Sequence, residues 1–182
     1  ADLQAARLRL MALDWVASAD VQRRYPDAIF VHLVEKRPFA LWQEPPGVHG
    51  GGRIVVVERD GGVVTAKNID RFARLPRLIG AGAPAAAADI VDAVAAHRAV
   101  SARVRAFERQ SDRRWNLILD DGVVVKLPET GWPQQIDALD HLIIDDGILE
   151  RNISEIDLRS PTHYFFVLPG GTKKTVPRGD KI

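Results

Sequence analysis

The stretch LDWVASADVQRRYPDAIFVHLVEKRPFALW, residues 13–42, decides how the chain is read. Val16 to Tyr25 suits a strand, and Tyr25–Pro26–Asp27 is a turn signal. Ile29 to Glu35 then alternates, with Ile29, Val31 and Leu33 on one face and Phe30, His32 and Val34 on the other. Pro38 ends that run. Upstream, Leu3, Ala6, Leu10 and Leu13 recur at helical spacing with Arg7 and Arg9 between them. This predicts a helix from Asp2 to Leu13 with Asp2 as its N-cap. The opening reads helix, strand, strand, a module of about forty residues whose core cannot stand alone.

Downstream, Pro45–Pro46–Gly47 and Gly50–Gly51–Gly52 are the clearest linker-like punctuation. They place a module boundary just before them, separating residues 1–43 from a second unit at 44–170 and a tail at 171–182. In the second unit, Ile54–Val57 and Val63–Val64 flank Asp60–Gly61–Gly62, a hairpin signal. Ala86 to Arg98 is predicted to be a helix with Ile90, Val91 and Val94 on its apolar side. Val100–Arg109, Trp115–Leu119 and Val123–Leu127 form a meander, with a turn at Asp121–Gly122. Pro133 fits the first turn of a helix reaching about Ile144, with Ile136, Leu139 and Ile143 inward. Ile153–Leu158 and His163–Leu168 are the last strands. The fold class is therefore α+β, a small opening module followed by a mainly antiparallel sheet with two helices.

Of 182 residues, 46% are hydrophobic and 27% charged, so a packed core is expected. The net charge of +1 leaves no basic footprint for nucleic acid. The absence of cysteine excludes a disulfide framework and thiolate chemistry. No apolar run reaches the ~18 residues of a membrane span, and a start at Ala1 rather than Met reads as a piece trimmed from something longer. His32, His49, His97, His141 and His163 share no ligand spacing. No nucleophile elbow is present. Gly80–Ala81–Gly82 is followed by Pro84 and reads as a loop rather than a phosphate cradle. Asp145–Asp146 before Gly147 reads as a turn, and the four tryptophans as core and junction packing. No catalytic, cofactor-binding or metal-binding residue is assigned, and no cofactor is expected.

The Trp15-Val-x-x-Ala-x-Val21 core, the Pro26-Asp27 turn and Glu35-Lys-Arg-Pro38 resemble the second half of a POTRA domain, more narrowly that of the FtsQ/DivIB bacterial division proteins. Arg59-Asp-Gly-Gly62, Leu75-Pro-x-Leu-Ile-Gly80, Arg114-Trp-Asn-Leu117, Leu127-Pro-Glu129 and Asp157-Leu-Arg159 extend the resemblance in order along nearly the whole chain. Asp14 departs from it, standing where a proline is usual before the tryptophan. The resemblance implies a single-pass inner-membrane protein with a periplasmic POTRA module and β domain. The upstream transmembrane helix and the first POTRA strand and helix are absent from this chain. It also implies a non-catalytic scaffold that recruits other division proteins, notably the FtsB/FtsL coiled-coil pair, partly through the last strands of the β domain.

That docking region maps here to Arg159, Thr162, His163, Tyr164, Phe165, Phe166, Val167 and Leu168. An antiparallel sheet has edges that must be covered or used, and this aromatic strand comes late enough in the chain to be one. Alternation puts Tyr164 and Phe166 on one face and His163, Phe165 and Val167 on the other, without saying which is buried. Two further readings stay open. One is a POTRA-type chaperone or docking module of an outer-membrane or secretion transporter, which a β-barrel downstream would favour. The other is a hydrolase whose carboxylates meet only on folding.

Overall fold

The computed structural model describes residues 2–47 and 52–180; His49 and Gly50–Gly51 of the expected linker, and Lys181 of the expected tail, lie outside them. Helix α1 (Leu3–Met11) begins where the Asp2 carboxylate accepts the N–H groups of Gln4 and Ala5 at 3.0 and 3.1 Å. Those donors are among the ones a helix start leaves without intrahelical partners. Arg7 Nε donates to the Ala19 carbonyl at 3.0 Å, laying α1 along β1 (Val16–Arg24). β1 pairs antiparallel with β2 (Ala28–Glu35) across the turn at Tyr25–Asp27. Every residue of β2 is exposed, the apolar Ile29, Val31 and Leu33 included. The alternation is as the sequence predicts, but a two-stranded ribbon has no second layer to bury both faces.

The other strands form one ten-stranded sheet, in the order β12-β11-β10-β9-β8-β7-β6-β3-β4-β5. Its members are β3 (Ala40–Gln43), β4 (Ile54–Val57), β5 (Val63–Thr65), β6 (Arg77–Ile79), β7 (Val104–Gln110), β8 (Arg114–Leu119), β9 (Val124–Lys126), β10 (Glu155–Asp157), β11 (His163–Val167) and β12 (Lys173–Pro177). Most pairs are antiparallel; β3–β6, β6–β7 and β9–β10 are parallel. Between β6 and β7 the chain crosses through α2 (Ala83–Ala86), α3 (Ala88–Ala96) and α4 (Arg98–Arg103), and between β9 and β10 through α5 (Trp132–Ile144). Such a crossover returns the chain to the end it left, so the two strands it joins run parallel.

Several expectations are corrected by this topology. Ala40–Gln43, assigned to the opening module, is a strand of the large sheet paired to β4 and β6, so the division falls between Glu35 and Ala40. Pro45–Pro46–Gly47 belongs to the β3–β4 connection. Glu44 N donates to Arg53 O at 2.9 Å, and the buried Glu44 carboxylate pairs with Arg53 at 3.1 Å, closing that connection. The presumed tail contains β12. The predicted helix over 86–98 is the middle of three short segments, and Val100, expected to open a strand, is buried in α4.

The core lies between the helices and one face of the sheet. Leu78, Phe107, Leu117, Val125, Ile156 and Phe166 point from successive strands toward Ile90, Val94, Ile136, Leu139 and Leu142. Leu142, not Ile143, completes the buried face of α5, while Ile143 packs at its margin. The opposite face of the sheet is covered at the β5 end, where Leu41, Val56 and Val64 meet Trp15, Phe72 and Leu75.

Candidate docking edge

Among the described residues the sheet ends at β12 on one side and β5 on the other. β12 is returned onto β11 by the turn Leu168–Pro169–Gly170–Gly171, closed by Gly171 N to Leu168 O at 3.0 Å. Proline suits the second position of such a turn, and Gly170, with φ of 92°, supplies the left-handed backbone required at the third.

The register fixes which backbone groups of β12 are free. Tyr164 stands opposite Val176 and Phe166 opposite Lys174. The flanking bonds Leu168 N to Thr172 O (2.8 Å) and Arg178 N to Thr162 O (2.9 Å) place the hydrogen-bonded pairs at these even positions. Lys174 and Val176 therefore turn their amides and carbonyls toward β11. Lys173 and Thr175 turn theirs outward, and Pro177, which has no N–H, sits at the next outward position.

β11 is consequently not an edge, contrary to the sequence reading, because β10 and β12 flank it on both sides. Its side chains divide cleanly. Phe166 is 2% exposed in the core, and Tyr164 packs beside it, with the Arg178 guanidinium 4.6 Å from its ring centroid. Arg178 is anchored by Gln135 of α5 at 2.5 Å and by Ser160 O at 2.7 Å. His163, Phe165 and Val167 are half-buried on the opposite, open face, where the rings of His163 and Phe165 lie 6.2 Å apart. Thr162 is exposed and its hydroxyl meets His163 Nδ1 at 2.8 Å. Leu168 closes the strand and lines a cleft of about 150 Å³ with Ile148, Ile153, Phe166 and Lys174.

Arg159 leaves the end of β10 and folds back on Asp157, with Nε at 2.9 Å from Oδ1 and Nη2 at 2.6 Å from Oδ2. Burial pushes the Asp157 carboxyl up, but the Arg159 bonds and the Lys126 charge more than offset it and hold the group below the usual carboxylate range. Lys126 itself pairs with Glu155 at 2.7 Å. The open face beside β11 is thus a set of matched charges, while Lys173 and Lys174 on β12 are exposed to solvent. The structure brings Arg159 and Thr162–Leu168 to one end of the sheet; sequence reasoning took Lys173 for part of a solvated end and missed the strand that holds it with Thr175 and Pro177. The Pro–Gly–Gly turn between two extended runs was the signal for that hairpin.

Among the described residues no three His, Asp or Glu side chains are grouped to hold a metal ion, and no helix is long and apolar enough to cross a membrane. Residues 40–159 match the family model of the C-terminal part of cell division protein FtsQ/DivIB, and residues 1–36 the model of the FtsQ-type POTRA domain. The chain is 37% identical over 158 residues to cell division protein FtsQ of Rhizobium radiobacter, covering 87% of this chain and 72% of that protein. It is likewise 37% identical over 158 residues to FtsQ of Agrobacterium fabrum, covering 87% of the chain and 48% of the relative. To FtsQ of Caulobacter vibrioides strain NA1000 it is 35% identical over 160 residues, covering 88% of the chain and 51% of the relative. The matched region thus spans about half the length of two of these relatives. The opening ribbon, the ten-stranded sheet and these matches agree: the chain belongs to the FtsQ/DivIB family of cell-division proteins.

Proposed function

We propose that this chain is the docking part of a non-catalytic division scaffold that recruits and links other division proteins at the septum. Its partner at the sheet edge is a coiled-coil protein of the FtsB/FtsL kind, whose extended segment adds to β12. The single observation that carries this reading is the edge itself. Lys173 and Thr175 present unpaired backbone groups on a strand held in register by five opposed pairs. Strand addition uses such groups for affinity and alternate side chains for specificity. The half-buried His163, Phe165 and Val167, with Arg159 and Thr162 at the strand's start, supply a side-chain surface continuous with that edge. Arg159, Thr162, His163, Phe165, Val167 and Leu168 remain in the proposed site, joined by Lys173 and Thr175. Phe166 supports it from the core, and Tyr164 through Arg178.

In the same reading the chain lies in the periplasm, hung from the inner membrane by an upstream helix. Alkaline phosphatase fused after Arg178 of the full-length protein should be active there, and a stable but inactive fusion would contradict the topology. The function is tested in cells depleted of the native protein. Full-length protein carrying Thr175→Pro should reach the septum yet fail to retain the coiled-coil partner in pull-downs, and cells should filament. Normal division with the partner retained would refute docking on β12.

A further inference from the structure

The other end of the sheet offers the same kind of backbone. β5 is short and apolar at Val63 and Val64, and its pairing with β4 is bulged at Val56/Val57. Glu58 N donates to Gly62 O at 2.8 Å, making that the hydrogen-bonded pair and turning the amide and carbonyl of the next residue, Val63, away from β4. A strand-shaped partner or a second copy of this chain could pair there unless something stands in the way.

Three residues of the opening module stand there. Lys36 Nζ donates to the Val63 carbonyl at 3.0 Å, while Lys36 N donates to Trp15 O at 2.8 Å and fixes the stem of that side chain. Asp14 Oδ2 accepts from Thr65 Oγ1 at 3.1 Å and has Lys67 Nζ at 3.8 Å. The Trp15 ring lies 5.6 Å from that of Phe72, with Arg71 5.9 Å from its centroid, and packs over Leu41, Val56 and Val64. From these contacts we propose that the opening module caps the β5 edge, so that no strand adds to the sheet there. This concerns β5 only, and stands even if β12 proves not to be the partner's site.

The test is sedimentation velocity on the whole chain carrying Thr175→Pro, which removes β12 from the comparison. That protein should be monomeric. Adding Asp14→Ala and Lys36→Ala should make it self-associate, with the dimer dissociation constant falling at least roughly tenfold, since an occupied carbonyl is freed for pairing. Adding Val63→Pro should return it to monomer, because that removes the outward donor of β5. Circular dichroism confirms folding at each step. If the alanine pair unfolds, Asp14→Asn with Lys36→Met, which keeps the apolar stem, takes its place. A folded uncapped variant that stays monomeric, or one whose association survives Val63→Pro, overturns the proposal.

Discussion

Replacing Thr175 by proline removes one backbone N–H from the free side of β12 and leaves the ladder to β11 intact. An added strand finds four backbone groups there, the N–H and C=O of Lys173 and the N–H and C=O of Thr175. Each pairing contributes about 0.5–1.5 kcal/mol net. Losing the Thr175 donor does more than cancel one bond, since the partner's carbonyl is then held in the interface unpaired, at about 1–3 kcal/mol. That corresponds to roughly 5- to 150-fold weaker binding. Thr175 is exposed, so the fold itself should lose less than about 1 kcal/mol. Lys174→Pro is the control one residue away. Its N–H faces Phe166 across the ladder, so this variant should lose stability by about 1–3 kcal/mol in urea unfolding. Titration calorimetry with the extracytoplasmic domain of the coiled-coil partner measures the affinities. A folded Thr175→Pro protein binding with unchanged affinity would refute strand addition at this edge. Equal destabilisation by the two prolines would refute the register.

Phe165→Pro should unfold the domain rather than merely block binding, because β11 is paired on both sides; a cooperative native melt would contradict that. Arg159→Ala should let the Asp157 carboxyl rise toward the ordinary range, read by NMR titration; in the native protein the depressed value adds stability above the usual carboxylate range that is lost as pH falls through it. At His97, Nδ1 lies 2.8 Å from the Ala93 carbonyl and Nε2 2.7 Å from Asp137 Oδ1, two acceptors that only the imidazolium satisfies together. The Ala93 bond, with Asp137 and Asp140 nearby and against the effect of burial, raises its pKa. The stabilisation is therefore complete below the ordinary histidine range and is lost as pH rises through the raised value. Urea midpoints should fall as pH rises above the ordinary histidine range in the native protein and fall less in His97→Gln.

The elements legible in the sequence were those specified locally. Asp60–Gly61–Gly62 and Asp121–Gly122 gave their hairpins because turns need the positive φ that Gly61 and Gly122 adopt. Pro133 and the spacing of Ile136 and Leu139 gave α5. The boundary was misplaced because Pro45–Pro46–Gly47 looks the same in a linker and in a strand connection. What decides is the pairing of β3 with β6, between residues more than thirty positions apart in sequence. β12 was hidden because edge strands carry the lysines and proline that otherwise mark a solvated end, and only Val176 of it is buried. The strand expected at the edge, β11, lies one place inside it for the same reason. The Asp14–Thr65 contact joins residues 51 positions apart, a separation at which composition carries no signal.

The proposed partner segment pairs with the outward backbone of β12. Amide hydrogen exchange followed by NMR, with and without the partner's extracytoplasmic domain, reads that backbone directly. Binding should slow exchange at Lys173 and Thr175, which have no partner within the sheet, and leave Val63 of β5 unchanged. Tight binding with Lys173 and Thr175 still exchanging at their free rates would contradict the account.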